Sequence, residues 1–506
     1  MSAAPHAGVP NRLFITIAIM AAALMQTLDT TIANVALPHI QGSVSASLDQ
    51  IVWVLTFYIV GAAIMTPLTG WLAEKVGRKT LFLFSVAGFT LASALCGAAQ
   101  SLTQIVAFRF IQGVAGAALM PLAQSVLLDI NPPEKFGQAM ATFAMAVVLG
   151  PILGPTLGGW LTDNFSWRWV FYINLPLGCL SFLVAWLFLP GKPHPDAPKF
   201  DFFGYGTLAV GLGALQLMLD RGPTNDWFGS SETWIEAVTA VLCCYLCVIH
   251  LATAGNPLFP RALWKDRNFR TTLVVSVVVI GAMYASMALV PPMLQNLYGY
   301  PVFAAGLIIM PRGIGGFISM AITGRLTSRI DARLLMAGGV VLLAASFFIM
   351  SRFAPDQGAM PMIFSGFVQG LSLGLVFVPI STLGFATLPG HLRVQGATVS
   401  NLIRSVGGSI GISVLQVLLS RNMQVSWTGL TGGLWPENTL LHPLMPGGQP
   451  TPAGIATLTG MVAKQAAFIA YIDDFWLMTI ATLAILPVLL LLRPAPRTAR
   501  AEIPLE

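Results

Sequence analysis

Asp29 is the one acid of this chain that falls well inside a long apolar run, in the stretch LDTTIANVALP from Leu28 to Pro38. Three bases, Arg109, Arg312 and Arg404, are placed in the same way. A charge in hydrocarbon costs at least about 2.5–3.5 kcal/mol unless it meets a partner or a water-filled cavity, so each of these residues is a functional candidate. Counted along a helix, Asp29 lies about eight residues from one end of its run and Arg109 about six or seven from the matching end of its own. A lone acid and a lone base at matched depth should face one cavity. Loss of water favours the neutral acid and a nearby guanidinium favours the carboxylate, so Asp29 beside Arg109 can take up and return a proton as that cavity changes face. A static ion pair would need the same placement and stays open as an alternative.

Two further motifs surround this pair. GWLAEKVGRK, from Gly70 to Lys79, closes one apolar run and enters a short polar turn. Gly70 lets neighbouring helices approach and Gly77 permits a tight turn, while Glu74, Arg78 and Lys79 supply charges that can bond helix ends or pair with acids such as Asp129. That composition suits a latch, although topology setting by basic residues needs no more. GPILGPTLGG puts Gly150, Gly154 and Gly158 on one face, followed by Gly159, with Pro151 and Pro155 one turn apart; it reads as a closely packed, bent helix. Amides are costly in hydrocarbon, so Gln26, Asn34, Gln112, Gln124 and Asn401 join Arg312 and Arg404 as candidates for lining a substrate cavity.

The elements that must hold these residues are membrane spans. Hydrophobic residues make up 56% of the 506 and charged residues only 9%, far below the roughly 25% of soluble chains. Apolar runs near 14–36, 51–72, 80–99, 103–128, 137–161, 169–189, 202–219, 233–254, 271–294, 303–324, 334–351, 361–386, 395–420 and 474–493 are each long enough to cross a bilayer. On these bounds Asp129, Asp220, Glu236 and Asp474 fall at span ends. Of the 26 lysines and arginines, eighteen fall in loops on the side of the N-terminus, five on the other side and three within spans. The positive-inside rule then puts both termini in the cytoplasm, and the first run reads as an uncleaved helix. The basic residues are spread over short loops, which excludes a nucleic-acid stripe. Five cysteines, all in apolar runs, argue against a disulfide framework, and the six histidines assemble no metal site. No Walker A run is present, so nucleotide-driven pumping is not expected.

GRLTSRIDAR, from Gly324 to Arg333, is a weakened echo of the motif at Gly70, 254 residues earlier. Such a repeat is what two related halves leave behind. The expected organisation is an N-terminal six-helix bundle over 1–190, a linker with two extra helices over 191–270, and a C-terminal six-helix bundle over 271–506. The last includes a long outer loop at about 421–473 with Trp427, Trp435 and a stretch from Ala453 to Tyr471 able to form an amphipathic helix.

Taken together, the motifs resemble those of the major facilitator superfamily, and within it the fourteen-helix drug:proton antiporters of the EmrB/QacA type. The family's loop motif matches Gly70 to Lys79 with Glu74 in place of Asp. Its helix 4 motif matches Arg109, Gln112, Gly113, Gly116 and Ala117, and its antiporter motif matches Gly150, Gly154, Pro155, Gly158 and Gly159. WRWVFYINLPLG at 167–178, MPRG at 310–313 and YIDDF at Tyr471 to Phe475 are similar to the EmrB branch in particular. The resemblance implies an all-α membrane protein of the bacterial inner membrane, not an enzyme, that needs no cofactor and exports lipophilic or cationic drugs in exchange for protons. It also implies a periplasmic membrane-fusion adaptor and an outer-membrane channel as partners, with the long outer loop as the place of contact. An exporter or symporter of one metabolite on the same fold is the rival reading.

Overall fold

The computed structural model describes residues 11–191, 200–222, 225, 227–432 and 451–493. Among these residues fourteen helices are long and apolar enough to cross a membrane. They are α1 (Arg12–Val44), α2 (Trp53–Lys75), α3 (Arg78–Ala98), α4 (Leu102–Ile130), α5 (Phe136–Asn164), α6 (Trp169–Phe188) and α7 (Phe202–Arg221). They continue with α8 (Ser231–Thr253), α9 (Arg267–Asn296), α10 (Ala304–Leu326), α11 (Ala332–Met350), α12 (Met360–Ala386), α13 (Gly390–Gly432) and α14 (Pro452–Leu489). Helix is the solution hydrocarbon permits, because every backbone polar group is then bonded within its own segment. Short polar residues mark the starts. Ser101, Asp201, Asp266 and Thr451 each accept a backbone N–H of the first turn.

The helices form two six-helix bundles, α1–α6 and α9–α14, with α7 and α8 as an additional pair. Within the first bundle α1 packs on α5 and α6, and α2 on α4; within the second α9 packs on α13, and α10 on α12. The bundles meet through α5 against α10 and through α4 against α13. Their kinship is visible in one repeated approach. A Cβ on Gly61 of α2 would lie 2.6 Å from the Phe110 carbonyl oxygen of α4, and a Cβ on Gly315 of α10 would lie 2.6 Å from that of Phe367 on α12. α7 lies against α2, with Gly213 facing Ile64, and bonds to α13, where Ser409 Oγ donates to Gln216 Oε1 at 3.1 Å and Ser413 Oγ to the Leu219 carbonyl at 3.1 Å. α8 packs on α7, Cys247 being buried near Gly204, and turns most of its surface outward.

Three element bounds differ from the hydropathy reading. α1 continues past residue 36 to Val44, α13 continues past residue 420 to Gly432, and α14 starts at Pro452 instead of near 474. Hydropathy reports where a helix leaves hydrocarbon, whereas hydrogen bonding and the Thr451 cap decide where it begins. The stretch from Ala453 to Tyr471 is therefore the first half of α14, and the helix continues without a break through Asp474. Trp427 belongs to α13. Trp435, the loop residues 433–450 and the basic residues Lys192, Lys199, Arg497 and Arg500 lie outside the described residues.

The close α2–α4 approach yields a test. A methyl on Gly113 would overlap the Tyr58 carbonyl, whereas one on Gly159 meets nothing within 4 Å. Gly113→Ala is expected to destabilise the purified protein by about 1–3 kcal/mol and Gly159→Ala to leave it unchanged, as read by thermal melting in detergent.

Candidate functional site

Asp29 and Arg109 meet inside the first bundle. Arg109 Nη1 donates to Asp29 Oδ2 at 2.6 Å, and both side chains are 0% exposed. The remaining valences are filled from α4 itself and from three other helices, α2, α3 and α6. Gln112, one turn along α4 from Arg109, donates to Asp29 Oδ1 at 2.9 Å and accepts from Arg109 Nη1 at 2.8 Å. Asn174 of α6 donates to Asp29 Oδ1 at 2.8 Å and to Ser93 Oγ of α3 at 3.0 Å, and Ser93 donates to the Phe171 carbonyl. Arg109 Nε donates to the Val54 carbonyl of α2 at 3.1 Å, and its guanidinium lies 4.2 Å from the centre of the Tyr58 ring. The carboxylate thus accepts three bonds, one from a cation, and such charge-assisted bonds are about twice as strong as neutral ones.

Sequence reading placed the acid and the base at one depth facing a cavity. The structure brings them together and seals them from solvent. Gln112, expected in a substrate cavity, belongs to this network. Asn174, Ser93 and Tyr58 complete it and were not anticipated. Asn174 had a signal, an amide within the apolar run VFYINLPLG, the criterion that selected Gln112. Ser93 and Tyr58 had none, since serines and tyrosines are common in spans.

Between the bundles lies a second polar cluster. Gln124 of α4 accepts from Asn401 Nδ2 at 3.3 Å and Arg404 Nη2 at 3.5 Å, both on α13, and Arg404 also bonds Asn401. The Arg404 guanidinium sits 5.0 Å from the Phe377 ring centre of α12. Three of the predicted cavity residues are therefore one contact set across the bundle interface. The others lie apart. Gln26 is half-buried one turn before Asp29, and Asn34 is exposed further along α1. Arg312 is buried inside the second bundle, where its Nη2 donates to the Met283 carbonyl at 3.2 Å.

The Gly70 motif reaches across the same interface. Gly77 has φ +85°, the turn conformation that favours glycine, and Gly70 is packed on Gln395 of α13. Glu74 accepts from Gln395 Nε2 at 2.6 Å. Asp129 at the end of α4 accepts from Arg78 through one oxygen and from Arg393 of α13 through the other, the latter at 3.0 Å. Lys79 instead donates to the Trp186 carbonyl of α6 at 2.7 Å. One carboxylate thus ties together α3, α4 and α13.

Gly150, Gly154 and Gly158 of α5 press on Thr27, Thr31 and Ile32 of α1, and Thr31 Oγ1 donates to the Gly150 carbonyl at 3.1 Å. Their helix stays continuous through Pro151 and Pro155. The glycine face thereby fixes the helix that carries Asp29. Gly159 makes no such contact.

The sequence profile of the Major Facilitator Superfamily matches residues 19–412. The chain is 36% identical over 488 residues to the multidrug export protein EmrB of Haemophilus influenzae, covering 95% of this chain and 96% of that protein. It is 38% identical to EmrB of Escherichia coli K12, covering 84% of each. It is 33% identical to the fatty acid resistance protein FarB of Neisseria gonorrhoeae, covering 95% of this chain and 96% of that one. Among solved structures, the human organic anion transporter MFSD10 superposes with a TM-score of 0.60 at 16% identity, covering 95% of this chain and 100% of that one. The proton:xylose symporter XylE gives 0.58 at 12% identity, covering 94% and 96%. Fourteen spans in two bundles and a profile match running through both make this chain a multi-pass membrane transporter of the Major Facilitator Superfamily.

Proposed function

We propose that this protein exports lipophilic drugs and other toxic compounds by alternating access in exchange for protons, with Asp29 as the proton carrier. The observation that carries the reading is the sealed Asp29–Arg109 pair, with Gln112 and Asn174 on the second carboxylate oxygen. Protonation of Asp29 removes the charge that Arg109 neutralises and turns one acceptor oxygen into a donor. The bonds joining α1, α4 and α6 must then rearrange, which links proton occupancy to helix arrangement. The 33–38% identity to proteins named for multidrug export and fatty acid resistance supports the substrate class. Arg404, bonded to amides in the interface cluster, favours compounds that bring an acceptor or an acidic group over those that bring only a cation.

In this reading residues 1–190 and 271–506 are the two rocking units and 191–270 an inserted linker. The face that carries Arg78, Asp129 and Arg393 is cytoplasmic, as are both termini, because the basic loops gather there. The contacts of Asp129 and Glu74 close that side in the present conformation. α13 and α14 have 43 and 38 residues, whereas a span needs about 20, so both run on beyond the opposite membrane face. Exposed Val425, Ile455 and Met461 on these extensions suit contact with a periplasmic adaptor, in an inner-membrane component of a tripartite system.

Transport in everted vesicles energised by a pH gradient tests the coupling. Gradient-driven movement of lipophilic weak acids or dyes should fall to background in Asp29→Asn, while vesicle content of the protein is unchanged; transport that survives the substitution returns Asp29 to a structural role. Asp129→Asn removes the anion shared by two partly exposed ion pairs. Each such pair is worth about 0.2–1 kcal/mol, so the conformational equilibrium is expected to move about two- to thirty-fold towards opening on that face. Faster thiol labelling of Ser125→Cys in a cysteine-free background reports it. Replacing residues 421–462 by a short linker is expected to preserve vesicle transport and to abolish drug resistance of whole cells; equal loss of both would remove the adaptor role.

A further inference from the structure

Arg109, Arg312 and Arg404, the bases within the spans, meet their surroundings in three different ways. Arg109 is paired with Asp29 at 2.6 Å, and Arg404 bonds the side-chain oxygens of Asn401 and Gln124. Arg312 of α10 has neither kind of partner. It is 9% exposed, and its one hydrogen bond is to the Met283 carbonyl of α9 at 3.2 Å. Among the described residues it enters no ion pair. A guanidinium carries five N–H donors, so most of its donors and the whole of its charge are left unanswered. A charge withdrawn from water in this way is strongly unfavourable unless something brings it a counter-charge.

Arg312 lines a cavity between α9, α10, α12 and the end of α11. Most of the wall is apolar, as at Met350, Phe353 and Met362. The hydroxyl of Ser365 is turned to the Met362 carbonyl, which leaves Gln369 as the other polar group available to an occupant. The space amounts to about 20 Å³. One water needs about 10–15 Å³, so the cavity has room for a single water-sized or halide-sized particle and none for an alkyl chain.

Gln369 is nine-tenths or more buried, and its Oε1 has no hydrogen-bond partner. Its Nε2 donates to Ser286 Oγ at 2.8 Å, and Ser286 Oγ donates to the Met283 carbonyl at 2.9 Å. Turning the amide over exchanges these roles. Ser286 Oγ then donates to Oε1, Nε2 is free to serve the cavity, and the Met283 carbonyl keeps its bond from Arg312. The cavity is thereby served by a cation and an amide N–H, with apolar groups around them. A water molecule could fill it, but water leaves the charge of Arg312 unanswered. A divalent oxyanion exceeds the space and would bring one charge too many.

We propose that this cavity is a binding site for one small monovalent inorganic anion of the size of chloride, held by Arg312 and Gln369. The ion joins α10 to α12, as Arg312 already joins α10 to α9. The first bundle answers its buried arginine with an acid of its own chain, and the second takes the answering charge from solution.

Equilibrium dialysis of the purified full-length protein against radiolabelled chloride, with gluconate as the other anion, tests the site directly. The wild type should retain a single chloride per chain and Arg312→Gln none. At fixed ionic strength the melting temperature should climb with chloride to a plateau at least about 2 °C above its value in gluconate, and Arg312→Gln should abolish the climb. Because this substitution also removes an unanswered charge, its melting temperature in gluconate should equal or exceed that of the wild type; a clear drop would mean that a protein group already holds the arginine, and would overturn the proposal. Gly366→Val keeps the guanidinium and decides the matter should Arg312→Gln fail to fold. A Cβ on Gly366 lies 3.7 Å from Arg312 Cβ, an ordinary contact, and the added methyl groups enter the cavity, so chloride retention should be lost. Wild-type protein that retains no chloride holds at most a water there, which overturns the site, and chloride kept by both variants places the ion elsewhere and does the same. Decanoate that stabilises as chloride does would make this a carboxylate site for a lipophilic acid and overturn the inorganic anion. None of these outcomes depends on the proton-coupled reading.

Discussion

A carboxylate and a guanidinium buried together in hydrocarbon constrain everything around them. Separated, each would carry an uncompensated charge, and breaking such a pair by removing one partner costs about 3–5 kcal/mol. Asp29 and Arg109 are on different helices, so α1 and α4 are held in one register by the chemistry of a single contact. The three bonds to the carboxylate recruit α6 as well, and the cation on Tyr58 recruits α2. The first bundle is organised from this point outward.

Close packing supplies the precision the pair requires. Where α5 supports α1, three glycines present bare backbone to Thr27, Thr31 and Ile32, so the helix bearing Asp29 rests on a surface that cannot give by rotating a side chain. The second bundle uses the same device, with Gly407 and Gly411 of α13 against Val277 and Gly281 of α9. Two bundles built on one plan can still differ in chemistry, because the repeated approaches at Gly61 and Gly315 place backbones and leave the side chains around them different.

Much of the fold was legible because hydrocarbon leaves few options. A run of apolar residues about as long as the membrane is thick must be a spanning helix, and all fourteen were readable on that ground. The pairing of Asp29 with Arg109 was legible for a related reason, since charges are so rare in the spans that depth alone matched them. What failed was whatever depended on the edges of the hydrocarbon. The outer halves of α13 and α14 look like loop because water-facing helices lose their apolar signal, and this concealed how far both helices extend. The partners of Asp29 were partly hidden because Ser93 and Tyr58 bear no mark of function until another helix is brought against them. Depth could match Gln124 with Asn401 and Arg404 no better than with Gln26 or Asn34; only the packing of α4 on α13 separates them.

The two seams between the bundles are not equivalent. Along one, α5 and α10 lie directly on each other, with Gly313 facing Ile152 and Gly324 facing Ala141. Along the other, α7 lies against α2 and hydrogen-bonds to α13 through Gln216, Ser409, Ser413 and the Leu219 carbonyl. Lipid therefore meets two different boundaries. One is a close contact of small and apolar groups, with no hydrogen bond between α5 and α10 among the described residues to be broken when they part. The other is stapled by polar bonds whose release in a medium without water leaves donors and acceptors empty. A rocking motion of the bundles must either carry α7 along as a rigid passenger or break those bonds together, so the molecule has a hinge side and a clasp side, and a lipid-dissolved molecule approaching the two seams would find them unequally easy to part.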